Sequence, residues 1–500
     1  MKKSKLLLTL ATVLKMKKTL LTKALWALLS CMPTLQAQAD YPLFWQRYTA
    51  DPWGIEHGGR LYLFCSHDTY DPARGYGYFM NDITCISTDD LKNWTDHGEV
   101  FRAADSKWGA RNTWAPCVVE RDGKFYLYYG DANAGGIGVA VSDSPTGPFV
   151  DNLERPLVGL DTPGVILRDE NGQLVKSAPD VEGALSGSEN WGMWCFDPTA
   201  FVDDDGQAYL CFGGAHPDNS RIIKLKDNMT EIDGTAVKPH TPGFFEASAI
   251  HKYNGKYYYS YSGHYYNMPC NIEYVTSDKP MEGYEGKPGI VMRNPPVNDG
   301  YNHHQCIFSY RGEWYLAYHN RQVAYERNET DTRAREYMRS VCLDRLYYNE
   351  DGTIRPVEAT RDGLPQLKYV DPYVENEAET MAKGWNIEVS DVAERGGNRA
   401  VAPLEDDAYV KVRGVDFSRG CSSFTARVAC SNAGGGTIEI RLENPDGLLA
   451  GTLKVPSTGS TAQWQTCETS VSMYPGLYDI YFVFRGNRKA SMLMDRWTFK

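Results

Sequence analysis

Gly123-Lys124-Phe125-Tyr126-Leu127-Tyr128 decides the fold, because the same phrase occurs four more times along the chain. It stands as Gly59-Arg60-Leu61-Tyr62-Leu63-Phe64, Gly206-Gln207-Ala208-Tyr209-Leu210, Gly255-Lys256-Tyr257-Tyr258-Tyr259 and Gly312-Glu313-Trp314-Tyr315-Leu316. Each copy opens on a turn glycine and continues as an aromatic-rich alternating strand. A second strand-like run follows soon after each one: Ile83 to Ser87, Ile137 to Val141, Ile222 to Leu225, Ile272 to Thr276 and Ser340 to Leu343. A unit of a few strands cannot bury both of its faces alone. Five copies therefore predict five blades around an axis, an all-β, five-bladed β-propeller. A stacked solenoid is the structural alternative, but the glycines are 64, 83, 49 and 57 residues apart, and spacings so long and uneven favour blades with loop insertions. The longest insertion, Leu153 to Asn190, is expected as a surface excursion near one rim.

Outward from these repeats, composition sets the limits. The chain has 500 residues, 42% hydrophobic and 23% charged, which is globular composition and excludes disorder, collagen and coiled coil. Tyr, Phe and Trp number 33, 17 and 12, beside 46 Gly and 26 Pro, as short strands and tight turns require. The net charge is −12, and it becomes −19 once the seven lysines of the first 39 residues are set aside. Such a surface repels phosphate backbones, so nucleic acid is not an expected partner, whereas a neutral substrate is unaffected.

The first 39 residues read as an export signal. Lys2, Lys3 and Lys5 precede an apolar run, Met16-Lys17-Lys18 restarts the pattern, and Ala37-Gln38-Ala39 is a small-residue cleavage site. Either Met1 or Met16 serves as initiator. Leu28-Leu29-Ser30-Cys31 also has the look of a lipidation box, so a lipoprotein anchored through Cys31 is the alternative to a periplasmic or secreted protein. No later segment is apolar enough to span a bilayer. The cysteines form no CxxC pair, which leaves a zinc or redox site unsupported. Cys65, Cys211 and Cys342 lie in apolar strands as small hydrophobes. A bridge among Cys421, Cys430 and Cys467 is left open.

From Pro365 to Pro372 the repeat stops. Beyond it, Thr437 to Leu442 and Tyr478 to Phe484 alternate with Gly and Ser turns, the texture of a β-sandwich. The expected domains are 40–370 and 371–500, after a signal at 1–39.

Inner strands of a propeller converge at one end, so chemistry should come from acids at blade starts. Three stand out: Asp51 in Thr49-Ala50-Asp51-Pro52-Trp53, Asp197 in Cys195-Phe196-Asp197-Pro198-Thr199, and Glu246 in Gly243-Phe244-Phe245-Glu246-Ala247-Ser248. Singly, the first two also read as Asp-Pro turn starters and the third as a buried hydrogen-bonded Glu. Three acids at equivalent places in repeated units point to a site, because burial makes each carboxyl costly to ionise. Asp203-Asp204-Asp205, by contrast, reads as a solvated turn.

These three motifs resemble the acids of glycoside hydrolase family 43. Trp114-Ala115-Pro116 and Val141 to Pro148 fit the same family, and the likeness runs from about Tyr41 to Thr360. The Asn-Asp-Pro-Asn and Arg-Asp-Pro motifs of levanase-like propellers are missing. The resemblance implies inversion at a pentose, with Asp51 as general base, Glu246 as general acid and Asp197 tuning and orienting the acid. Asn302-His303-His304 and Tyr315 to Asn320 are similar to arabinoxylan arabinofuranohydrolases. There the family often holds a calcium or a water cluster on the axis near a His. The spacing to Ile307-Phe308 favours His304, as metal ligand, sugar contact or simple structural histidine. Arg339 resembles the family's substrate-contacting Arg, with a salt-bridge role as the alternative. Trp53 and Trp114 are candidates to stack on a sugar face or to pack in the core.

The C-terminal part resembles a family 6 carbohydrate-binding module through Asn376 to Glu379, Tyr409 to Phe417 and Met494 to Trp497. This implies a jelly roll with a structural calcium on Glu377, Glu379 and Asp495. Thr461 stands where the family often carries a sugar-stacking Trp, and Trp464 matches its structural partner. The expected function is an exported, exo-acting hydrolase removing α-L-arabinofuranosyl groups from arabinoxylan, with no organic cofactor. β-Xylosidase and a non-catalytic sugar-binding propeller are the alternatives.

Overall fold

The structure is a computed structural model that describes residues 41–131, 135–167, 170–171, 193–214, 219–263, 269–300, 302–327, 330–392, 397–486 and 489–500. The export signal, with Met1, Met16 and Cys31, lies outside the described residues, as does much of the 153–190 insertion.

The chain is all-β, and its first part is five successive antiparallel sheets. The first contains β1 (Thr49–His57), β2 (Arg60–His67), β3 (Asp82–Thr88) and β4 (Trp94–Arg102). The second contains β5 (Trp114–Arg121), β6 (Lys124–Asp131), β7 (Gly136–Ser142), β8 (Val150–Asp151) and β9 (Val158–Gly159). The third runs β10 (Thr199–Val202), β11 (Ala208–Phe212), β12 (Arg221–Leu225) and β13 (Ile232–Val237). The fourth runs β14 (Phe244–Tyr253), β15 (Lys256–Gly263), β16 (Asn271–Ser277) and β17 (Glu285–Met292). The fifth is β18 (Cys306–Tyr310), β19 (Glu313–Asn320) and β20 (Ser340–Arg345). Each repeated phrase supplies the hairpin turn and second strand of one sheet.

The first strands touch in the order β1, β5, β10, β14, β18, and β18 touches β1 again. Leu43 N donates to Val341 O at 2.8 Å and Thr49 N to Arg339 O at 3.0 Å, so the segment before β1 lies along β20. Chain ends that hydrogen-bond in this way leave the fifth sheet no bare edge on that side. The alternating side chains Leu61, Leu63, Leu127, Leu210, Ile223 and Leu316 fill one buried cluster.

After Leu364 a second core begins. One sheet carries Ile387–Asp391, Arg399–Pro403, Met492–Phe499, Cys421–Cys430 and Gln465–Met473. The other carries Lys383–Trp385, Tyr409–Asp416, Leu477–Arg485, Gly436–Leu442 and Leu448–Val455. Val401, Phe424, Met494 and Trp497 of the former share a buried cluster with Val410, Ile438, Ile440 and Phe482 of the latter. Thr380–Met381 pairs with Trp94–Thr95, which adds a strand of this part to the first sheet. The bridge left open among Cys421, Cys430 and Cys467 is not formed: all three are free thiols, because the register sets Cys421 against Met473 and Cys467 against Ala426.

Candidate active site

The acids are aimed by a repeated bulge. In the β1–β2 ladder Ala50 faces Ser66 and Trp53 faces Phe64, so Asp51 and Pro52 together oppose Cys65. The same offset separates Trp114 from Cys117 on β5 and Glu246 from Ala249 on β14. In the third sheet Gly213 N donates to Phe196 O while Thr199 faces Cys211. The first bulge residue is left-handed each time: Asp51 (φ 50°), Ala115 (φ 49°), Asp197 (φ 50°) and Ala247 (φ 60°). Aspartate tolerates this region better than most residues, and the following proline of Asp51 and Asp197 has no N–H to leave unpaired. A bulge turns a side chain out of the strand's alternation, here toward the ends of the first strands.

Asp51 and Asp197 are therefore equivalent, as the sequence suggested, but Glu246 is not. It occupies the position of Ala50, Trp114 and Phe196, one residue earlier, and its longer side chain starts from there. Gly130 makes room for this geometry, since a Cβ on it would lie 3.0 Å from Phe196 Cα.

The acids meet around Arg339. Arg339 Nη1 donates to Asp51 Oδ1 at 2.6 Å. Its Nε and Nη2 donate to Asp68 at 2.9 and 2.7 Å, and its backbone N donates to Asp68 Oδ2 at 2.9 Å. His304 Nδ1 lies 3.7 Å from both Asp51 Oδ1 and Asp197 Oδ2, and His319 Nδ1 lies 3.6 Å from Asp51 Oδ1. Ala247 N donates to Asp197 Oδ2 at 3.2 Å, which ties the third acid to the residue next to Glu246. Gln305 Nε2 holds the Ala247 carbonyl from the other side at 2.6 Å.

Electrostatics separate the carboxyls. Burial, and then the Asp51 charge, push Glu246 up to about 8 despite Arg339, a hydrogen bond from Asn302 and Arg321. Burial followed by the charges of Glu246 and Asp51 holds Asp197 well above the usual carboxylate range. Burial pushes His304 down to about 4 and His319 well below its ordinary value, so both rings are neutral at neutral pH. Asp51 alone of the three has a direct guanidinium partner. The arrangement sets a carboxyl held by a guanidinium near a carboxyl of raised proton affinity, which is the equipment for water activation and leaving-group protonation.

A scan of family models matches glycosyl hydrolases family 43 over residues 42–175 and 168–354, and carbohydrate binding module family 6 over 377–500. The chain belongs to glycosyl hydrolases family 43. It is a glycoside hydrolase with a C-terminal family 6 module. It is 35% identical over 501 residues to an arabinoxylan arabinofuranohydrolase of Paenibacillus polymyxa, covering 92% of this chain and 74% of the relative. A crystal structure of a family 43 arabinoxylan arabinofuranohydrolase from Bacillus subtilis, in complex with cellotetraose, matches with a TM-score of 0.77 and 33% identity. That match covers 93% of this chain and 98% of the other. A β-xylosidase of Xylanibacter ruminicola is 30% identical over 62% of this chain and 97% of its own length.

The two tryptophans part company in this family 43 site. Trp114 packs with Met80 and Phe196, beside half-buried Tyr78 and Trp194, and Met80 Sδ is 3.1 Å from Arg339 Nη2. It thus lines the wall next to the acids. Trp53 takes the packing alternative: it is buried in the main core, with Nε1 donating to Val118 O of the second sheet at 2.9 Å, and the bulge at Asp51 and Pro52 precedes it on the strand.

Asp68, Tyr78, Asn302, His319 and Arg321 also belong to this neighbourhood, and the sequence reading selected none of them as site residues. Arg321 is buried and donates to Asn298, Glu336 O and, at 2.6 Å, Asn302 Oδ1, which leaves the Asn302 amide nitrogen for Glu246. A local signal did exist for Asn302, which sits in the quoted Asn-His-His motif.

In the family 6 module, Glu377 Oε2 and Glu379 Oε2 are buried with no donor. Asp495, by contrast, accepts from Asn398 and pairs with Arg427 and Arg496. Two of the three expected ligands thus fit a hard cation, while the third is engaged by protein groups. Among the described residues no group of three or more His, Cys, Asp or Glu side chains is arranged as a ready cage. Thr461 is half-buried, and the Trp464 ring lies 4.6 Å under the Arg427 guanidinium.

Proposed function

We propose that this family 43 hydrolase is an α-L-arabinofuranosidase that trims arabinofuranosyl groups from arabinoxylan with inversion. The observation that carries the mechanism is the contrast between Asp51, held by Arg339 at 2.6 Å, and Glu246, pushed up to about 8. Asp51 takes a proton from water as the water oxygen bonds to the anomeric carbon. The glycosidic C–O bond breaks, and Glu246 gives its proton to the departing xylosyl oxygen. Asp197 accepts from Ala247 N, which fixes the backbone beside Glu246 and orients the acid. His304 spaces the two aspartates, and Trp114 offers an apolar wall to the sugar. The substrate class is supported by the relatives at 35% and 33% identity, both arabinoxylan arabinofuranohydrolases.

The architecture fits this reading as a five-bladed propeller over 40–370, its ring suggested by the β1-to-β18 contacts, and a β-sandwich over 371–500. A signal at 1–39 would export the enzyme to where plant cell-wall polysaccharide is met, as a soluble or Cys31-lipidated protein. A calcium held by Glu377 and Glu379, with Asp495 sharing its contacts, would fix the start of the module to its last strand.

The deciding experiment is proton NMR of the first-formed sugar released from arabinoxylan, beside a panel of nitrophenyl pentosides. Release of arabinose with inverted configuration is expected. Faster cleavage of the xyloside would move the enzyme to β-xylosidase, retention would overturn the mechanism, and no turnover at all would favour a sugar-binding role.

A further inference from the structure

Asp68 has no place in the proton transfers, yet it is the most fully enclosed carboxylate near them. It follows β2 of the first sheet, and Arg339 precedes β20 in the fifth, 271 residues away. The same seam carries Asp68 N to Tyr48 O at 3.2 Å and Thr49 N to Arg339 O at 3.0 Å. Three Arg339 N–H groups point at Asp68, and one points at Asp51. One guanidinium thus serves two carboxylates, and the larger share goes to the one outside the reaction.

We propose that Asp68 is a positioning residue: it grips Arg339 side-on through three N–H groups, turns the guanidinium so that a single N–H reaches Asp51, and offsets part of its charge beside the site. Buried ion pairs act through geometry and mutual desolvation, so the balance among neighbours matters more than any one contact. Without the Asp68 charge, the fork of Arg339 is free to close on Asp51 and withdraw it from the water. Glu246 would also feel a stronger positive field, since Arg339 already lowers its proton affinity.

The other groups facing this cluster are Asp197, Tyr78, His304, His319, Arg321 and the Cys65 thiol. Burial keeps both histidines neutral and Tyr78 and Cys65 protonated, so none of these can replace the lost charge. The sign follows. Removing one negative charge beside Arg339 leaves its positive field less offset and lowers the proton affinity of Glu246, which Arg339 already lowers.

The inference rests on the base and acid roles given above, and its test separates the two. Wild type, Asp68→Asn and Asp68→Glu are compared by the pH dependence of kcat/KM on arabinoxylan oligosaccharides, and by carbon NMR titration of the carboxyls. For Asp68→Asn, kcat should fall by about tenfold or more, and the alkaline limb set by Glu246 should move to lower pH by about one unit. Asp68→Glu keeps the charge but displaces the grip, so kcat should fall while the alkaline limb stays. A folded Asp68→Asn with an unshifted alkaline limb and an unshifted Glu246 titration overturns the proposal, as does an equal shift in Asp68→Glu. If Asp68→Asn does not fold, Arg339→Lys is the second variant. It keeps one charge for Asp68 to offset, so its alkaline limb should hold while kcat falls, and a moved alkaline limb overturns the proposal. Absence of pentoside turnover by the wild type would refute the reading above, and the NMR titration would still decide the role of Asp68.

Discussion

At the catalytic cluster, Asp51, Asp197 and Glu246 lie close enough to feel one another's charge, with Arg339 on Asp51, whereas in the C-terminal module Glu377 and Glu379 each keep a buried oxygen with no protein donor. Both places gather carboxylates out of water, a costly arrangement unless charge is matched or removed. The catalytic cluster solves this from within, by a guanidinium on one acid and by retained protons on the others. The module's cluster is short of positive charge at two oxygens, and a divalent cation is the natural complement. An internal solution leaves the carboxyls with different proton affinities, which is what acid–base chemistry needs. An external one leaves two buried acceptor oxygens free for a cation, which suits a staple.

The sharpest way to break this comparison is to remove each catalytic carboxyl in turn. Asp51→Ala should lose activity on arabinoxylan and on an aryl arabinofuranoside alike, by about 10²–10⁴-fold, because both reactions need the base. Glu246→Ala should lose a similar factor on arabinoxylan but far less on the aryl substrate, whose leaving group departs without a proton. Steady-state rates of folded variants on the two substrates decide the matter. Equal losses in Glu246→Ala would mean that the two acids do not divide the work.

A smaller effect reads the protons directly. Glu246 is pushed up to about 8, and an acid works in its protonated form. Activity should therefore hold to about pH 8 and then fall roughly tenfold per pH unit as Glu246 ionises. The measurement is kcat/KM on arabinoxylan oligosaccharides across the alkaline range. A fall beginning near pH 5 would show an ordinary carboxyl and remove the internal solution described for this cluster.

The local part of this site was readable in the sequence, and the non-local part was not. Turn glycines and aromatic alternation are short-range signals, so the five sheets could be found from Gly59, Gly123, Gly206, Gly255 and Gly312. The Asp-Pro pairs at Asp51 and Asp197 are equally local, since they mark a bulge. The role of Trp53 stayed open because a two-residue bulge breaks alternation, and everything after it changes face. Asp68 gave no signal, because its partner lies 271 residues on and nothing near His67 marks a buried ion pair. The one-residue offset of Glu246 was equally hidden, since register is a property of the paired strand. The cysteines of the module behaved as their neighbours dictate, with Cys430 and Cys467 buried in apolar packing and no partner thiol in register.

The smallest expected effect tests the external solution. Backbone pairing already holds the segment of Glu377, with Asn376 opposite Trp497 and Ala378 N donating to Asp495 O at 2.8 Å. A cation there adds to a join that exists without it, so its removal should soften the module rather than unfold the chain. Binding only to the folded state stabilises by about 2.7 kcal/mol at a hundredfold excess over Kd, which bounds the loss on chelation to a few degrees in Tm. Calcium in excess should restore it, and Glu379→Gln should make Tm indifferent to both treatments. The same segment continues into Thr380–Met381, the strand that pairs with Trp94–Thr95 of the first sheet, so the loss should reach the hydrolase part as well. Calorimetry with and without chelator reads both parts at once. No shift, with no metal in the purified protein, would remove the staple and leave Glu379, pushed up to about 8 by burial, as a protonated acid. A loss of rate on chelation at a temperature where the protein stays folded would instead place a cation near His304, between Asp51 and Asp197.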